Sequence, residues 1–268
     1  MFTNTASKTP IAVYQMGKVG SETIVNSLKQ IDLGVPIYHV HILSQQNIEI
    51  ALNNYQQKQQ PLTLQLENSR LLRKYLARTD NPTLNVITAV REPVSQFISA
   101  FFQNVRSSHP DLVSEQGNLR RNAIYKFLTK RLSNYQVDRA WNCNWFDRDF
   151  KPALGIDVYQ HKFDRELGYT QLNSQNIKVL LLQLEKSEDW GKIISEFLQL
   201  SKPIKIIKSN VSGRKDYKRV YQHILDNLEI PSGILENIYQ CQYCQHFYSN
   251  AAINYFINRW SQKNKIAN

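Results

Sequence analysis

Short β-branched runs alternate with amphipathic stretches along the chain, and this pattern predicts a parallel α/β sheet rather than a sandwich or a bundle. Strands are expected over residues 11–14, 37–41, 85–90 and 177–184, the last with the continuous apolar character of a strand buried on both faces. Residues 156–159 are expected to add an edge. Helical spacing predicts helices over 22–31, 47–57 and 66–77, and most strongly over 94–105, where Val94, Phe97, Ile98, Phe101, Phe102 and Val105 share one face that calls for packing on the sheet. Past Leu184 the pattern turns mainly helical, over 190–200, 217–228, 233–244 and 251–260.

At 268 residues and 42% hydrophobic content the chain can bury one sizeable core. The expectation is a single domain over 1–268, with an α/β core over 11–200 and a mainly helical part over 201–268. Lysine and arginine number 33 against 22 acidic residues, a formal charge of +11, so the surface field favours anionic ligands. The first ten residues are polar, and no apolar run approaches the roughly 20 residues that span a bilayer. A protein of the cytoplasm, with no transmembrane segment, is expected. Three cysteines make no disulfide framework. Cys241, Cys244 and His246 lie close together, but one CxxC without a second pair is weaker evidence for zinc than for packing among aromatics, so no metal is expected.

Two stretches carry candidate chemistry. YQMGKVGSET, residues 14–23, follows the first strand and opens a helix, and the unpaired N–H groups of a helix start make an oxyanion site. Gly17 and Gly20 permit close backbone approach, Lys18 supplies a cation, and Ser21 and Thr23 add hydroxyls. An ordinary turn capped by Ser21 would read the same way. The residue order is not that of a Walker A loop: Val19 follows Lys18, and Ala12 stands five positions before Gly17. Glu22 places a carboxylate in the helix's first turn, which suits the helix dipole and would repel an anion unless its side chain turns away. In the second stretch, residues 86–104, Arg91 ends a strand and Pro93 stands where a helix can begin. An arginine there lies where open α/β sheets bind ligands, although pairing with Glu92 is the alternative.

These two stretches resemble the PAPS-dependent sulfotransferases, enzymes that use 3′-phosphoadenosine 5′-phosphosulfate and release 3′-phosphoadenosine 5′-phosphate (PAP). Lys18 two residues before Gly20, followed by Ser21, looks like their 5′-phosphosulfate loop. Arg91, Pro93 and Ser99 look like their 3′-phosphate motif, and the wording REPVS is similar to carbohydrate sulfotransferases. More narrowly, YHVHIL, WFDRDFKPALGIDVY, LLLQLE and HFYSNAAINYFINRW resemble bacterial sulfotransferase-like proteins of capsular polysaccharide synthesis. The resemblance implies a P-loop-like sulfotransferase fold, a central parallel sheet flanked by helices with a helical C-terminal part. It implies PAPS held by Gly17, Lys18, Val19, Gly20, Ser21, Thr23, Arg91 and Ser99, with Gly213, Arg214 and Lys215 closing over the 3′-phosphate. It also gives Lys18 the role of the cation at the leaving oxygen, without a metal.

The acceptor would be a hydroxyl, most simply on a saccharide, with no nucleic acid as partner. His39 and His41 stand two apart on a strand and share a face near its end, where an imidazole suits a general base; His41 is the first choice. Glu67, Asp147 and Asp157 are carboxylate alternatives. Trp141, Trp145 and Phe146 are candidates to stack on a sugar face or to fill the core. Two other classes stay open: a kinase or glycosyltransferase using the same anion loops, and a non-catalytic basic protein that binds polysaccharide or nucleic acid.

Overall fold

The computed structural model describes residues 9–78, 82–207 and 215–261. In chain order these form β1 (Ile11–Tyr14), α1 (Ser21–Leu28), β2 (Ile37–Val40), α2 (Gln45–Gln57), α3 (Leu64–Leu76), β3 (Leu84–Val90), α4 (Pro93–Ser108) and α5 (Arg121–Ser133). There follow α6 (Trp141–Trp145), a π-turn at Phe146–Phe150, α7 (Lys151–Leu154), β4 (Tyr169–Ser174), β5 (Ile177–Gln183) and α8 (Trp190–Phe197). The last elements are α9 (Lys215–Asn227), α10 (Ser232–Tyr239), α11 (Gln242–Phe247) and α12 (Asn250–Ser261). The described residues fall into two compact units, one built from those up to Arg91 and from 145–207, the other from 92–144 and 215–261.

The first unit is the α/β one. Its five strands lie in the order β2-β1-β3-β5-β4, with β2, β1, β3 and β5 parallel. β1 is buried along its whole length, and in β5 the run Val179–Gln183 is buried, as a strand covered on both faces requires. α1 packs on β1, α3 on β2 and α8 on β5. Because β1 leads to β2 on one side and the chain later returns as β3 on the other, the strand order reverses between β1 and β3. That reversal is a topological switch point, and open α/β sheets bind ligands beyond the carboxyl ends of such strands.

Two expectations for this unit need correction. The sheet is not wholly parallel: β4 pairs antiparallel with β5 at the edge, through a two-residue turn in which Gln175 takes φ +48°. Its sequence, YTQLNS, buries little besides Leu172 and lacks a strong apolar alternation. Residues 156–159 form no strand. Gly155 takes the left-handed conformation (φ +70°), and the Asp157 carboxylate accepts from the Tyr159 amide at 3.1 Å, which closes a 3-10 turn over Val158–Gln160.

The second unit is helical among its described residues. The apolar face of α4 buries Ile98, Phe101, Phe102 and Val105. Within the unit, Phe102 meets the edges of Tyr217 and Tyr221 from α9, and Phe101 stacks on Phe127 of α5. α5 is a helix the pattern did not announce, because charged residues interrupt its buried row of Ile124, Leu128 and Leu132. The single helix expected over 233–244 is two, since Cys241 adopts an extended conformation between α10 and α11.

Candidate functional site

The loop after β1 is shaped by one steric fact. A Cβ on Gly20 would sit 2.8 Å from Cη2 of Trp190 and 3.0 Å from Cδ1 of Leu184, and its φ of +96° excludes most side chains independently. Only glycine lets α1 begin this close to α8. Lys18 also takes a left-handed conformation, φ +68°. Val19 is fully buried and anchors the loop, Ser21 is buried in the first turn of α1, and that turn has no side-chain cap. Gly17 differs from Gly20, for a Cβ there would meet nothing within 4 Å. Its space is open, as a cradle for a ligand should be.

Arg91 stands immediately after β3, against this loop. Its Nη1 donates to the Lys18 carbonyl at 3.0 Å, so the arginine braces the loop as well as adding charge. Burial lowers the Lys18 ammonium from its ordinary value; Glu22 opposes the shift and Arg91 adds to it. Two partly desolvated cations side by side favour an anion between or upon them. Glu22 is exposed in the first turn of α1, and its carboxylate still acts on Lys18 and His41, so part of the local positive charge is offset.

His41 lies one residue past β2. Its Nδ1 bonds the Gln15 carbonyl at 2.8 Å, and a carbonyl only accepts, so Nδ1 carries the hydrogen and Nε2 the lone pair. The backbone around it is fixed from the other side, since Trp145 Nε1 donates to the His41 carbonyl at 3.0 Å. Burial lowers the imidazole from its ordinary value, with the Gln15 bond and Glu22 opposing and Lys18 assisting. His39 contacts it edge-on, ring centroids 4.9 Å apart, and burial followed by the His41 charge lowers His39 to about 4. The structure thus brings Lys18, Arg91, Glu22 and His41 into one electrostatic neighbourhood at the β1–β3 end of the sheet.

Ser99 lies buried on α4 in the second unit. Gly213 and Arg214 lie outside the described residues, and so does the side chain of Lys215, which opens α9. Thr23 is half-buried, and its carbonyl accepts from Ser27 Oγ. Glu67 is exposed on α3, and Asp157 is held by Lys151 at 2.7 Å. Asp147 is exposed, and burial followed by Asp157 raises its carboxyl above the ordinary value. Trp145 and Phe146 are core, whereas Trp141 remains 38% exposed.

Three residues that matter were not legible beforehand. Asp149, fully buried, accepts from Tyr14 Oη, from the Leu43 amide at 2.7 Å, from Ser44 Oγ at 2.9 Å and from Asn47 Nδ2 at 2.6 Å. It ties the segment after His41 to the π-turn. Glu92, buried in the second unit, caps α4 through the amides of Val94 (2.7 Å) and Ser95 (2.8 Å) and accepts from Tyr239 Oη. An acidic residue before Pro93 at the first helical position was the available signal. Gln15 is fully buried, and neither its Oε1 nor its Nε2 has a hydrogen-bond partner. A buried amide left open beside the Lys18 loop is a costly feature unless a ligand completes it.

The cysteines also meet, although the chain separates them widely. Cys241 interacts with Cys143 and Cys244, and these neighbours hold it below its ordinary value. Cys241 raises Cys143, and burial raises Cys244. Among the described residues no cluster of His, Cys, Asp or Glu is arranged to hold a metal ion.

Comparison with known proteins adds one finding. Residues 117–249 match the model of a family described as "Putative capsular polysaccharide synthesis protein". The matched stretch runs from just before α5 to just before α12, so it includes β4, β5 and α8 but neither the Lys18 loop nor Arg91. Neither a curated protein nor a solved structure matches the chain. No described helix is long and apolar enough to cross a membrane.

Proposed function

We propose that the protein is a sulfotransferase that moves a sulfuryl group from PAPS to a hydroxyl of a saccharide during polysaccharide synthesis. The observation that carries the reading is the brace between Arg91 and the Lys18 loop at the point where the strand order reverses. That brace would hold two oxyanion-binding elements together, as a nucleotide with phosphate groups at both its 3′ and 5′ positions requires. The open face of Gly17 and the incomplete Gln15 amide fit a bound ligand at the same end of β1. The family match supports the saccharide half of the reading.

When bound, PAPS supplies an activated sulfuryl group on a phosphate leaving group. Lys18 and the amides that open α1 would hold the 5′ end, with the Lys18 ammonium next to the oxygen on which charge accumulates. Arg91 would take the 3′-phosphate through charge-assisted hydrogen bonds. His41 would accept the proton of the acceptor hydroxyl at Nε2, while its Nδ1–H stays on Gln15 and fixes the ring.

The first measurement is a thermal-shift comparison of PAP, ADP, ATP and UDP without added metal. PAP alone should stabilise the chain. Arg91→Ala should then weaken PAP binding by about 1.5 to 3 kcal/mol, the scale of a charge-assisted bond, and barely affect adenosine 5′-phosphosulfate, which lacks the 3′-phosphate. Equal losses for both ligands in calorimetry would remove Arg91 from this role. Stabilisation by ATP or UDP instead of PAP would point to a kinase or a glycosyltransferase.

A further inference from the structure

Two cavities of about 680 and 510 Å³ lie wholly within the second unit, and both are lined by Phe97, Ala100, Arg131 and Asn134. They therefore form one groove between α4 and α5, running from His109 at one end to Trp141 at the other. Phe97, Phe101, Asn104 and Ser108 recur every three or four residues, so they line the same side of α4. From Phe97 to Ser108 that wall is about 17 Å long at 1.5 Å per residue, room for several linked rings rather than one.

The lining has a distinct chemistry. Phe101 stacks on Phe127 with centroids 5.4 Å apart, His109 leans on Phe127 at 4.6 Å, and Tyr135 meets Phe97 edge-on at 5.8 Å. Trp141 keeps 38% of its surface exposed at the far end, where its indole offers a flat apolar face with a polar N–H. The charges are Lys130, Arg131 and Arg139, all exposed, and neither cavity lining includes an aspartate or a glutamate. Asn104 and Asn134 add amides that can both donate and accept.

We propose that this groove binds an acidic oligosaccharide, a chain of pyranose rings carrying carboxylates. The apolar faces of sugar rings suit the aromatic floor, their hydroxyls suit the amides, and the two arginines offer planar donors that match a carboxylate. A polynucleotide fits less well, since it would ask for a continuous line of cations along its backbone and freestanding rings on which bases stack. Here the cations are three, and most of the rings are paired with one another. The family match also covers one wall, from before α5 through Trp141. The inference rests on the saccharide half of the proposed function and is independent of the sulfuryl donor.

The test uses the full chain and its own fluorescence, because Trp141 is exposed while Trp145, Trp190 and Trp260 are fully buried. Titration with an oligogalacturonate should change the emission saturably, and Trp141→Phe should remove that change. Arg131→Ala with Arg139→Ala should weaken binding by about tenfold or more in calorimetry, as loss of charge-assisted bonds predicts. A neutral glucan should bind more weakly than the oligogalacturonate. An unchanged affinity in the double arginine variant, or tighter binding of a single-stranded oligonucleotide than of the oligogalacturonate, would overturn the proposal. The PAP thermal shift is read on the same samples. A chain that binds the oligogalacturonate but not PAP keeps the groove and loses the donor, and a chain that binds PAP but not the oligogalacturonate does the reverse.

Discussion

His39 and His41 sit two residues apart, yet the same physical effect gives each a different observable. Burial disfavours the imidazolium in both, so the folded values lie below the ordinary 6.5 of the unfolded chain. Between about 6.5 and about 4, the unfolded chain binds a proton at His39 that the folded chain refuses. This contribution to stability is therefore complete above about 6.5 and is lost as the pH falls toward 4. The melting temperature should drop between pH 7 and pH 5, and His39→Leu should make that drop smaller; an equal drop in the variant would show that His39 is not the group responsible. His41 follows the same sign in turnover. It must be neutral to accept a proton, so the acidic limb of the rate profile should lie below pH 6.5 and disappear in His41→Ala. The pattern of two histidines on one strand face was readable in advance. The Gln15 carbonyl that selects the tautomer was not, because it depends on β1 lying next to β2.

The loop between β1 and α1 separates two kinds of glycine. Gly20 is needed by the fold, since any side chain there collides with Trp190 and Leu184 and strains the backbone. Gly17 faces open space without a left-handed backbone, so its small size serves no packing need of the protein. Gly20→Ala should destabilise the chain by about 2 kcal/mol or more, from overpacking together with unfavourable φ. Gly17→Ala should leave the melting temperature nearly unchanged and weaken PAP binding severalfold. Should Gly17→Ala bind PAP as the parent does, the backbone at that glycine is not approached by the nucleotide. Both positions read alike as part of a flexible turn in the sequence. Only α8, which arrives from residues 190–197, distinguishes them.

The whole molecule carries a formal charge of +11, and its field extends over roughly 10 Å at 0.1 M salt, well beyond any single contact. Raising the salt from about 0.05 to 0.5 M should weaken oligogalacturonate binding several-fold, mainly through a slower association rate. The contacts with aromatic rings should keep a residual affinity at high salt. Complete loss would mean that the field alone holds the ligand and the groove adds nothing. What the sequence by itself determined is the α/β class, the four parallel strands to within a residue or so at each end, most of the helices, and the position of two glycine-, lysine- and arginine-bearing stretches at strand-to-helix junctions. These are local properties, written in the period of apolar residues and in the order of glycine, lysine, arginine and proline along a few turns. Only the tertiary structure decided that β1 and β3 are neighbours, which joins Arg91 to the Lys18 loop. It alone placed the fourfold-bonded Asp149 in the core and made a groove of α4 and α5. Each of these brings together residues from separate elements, and their energies come from desolvation and contact geometry that no local pattern encodes.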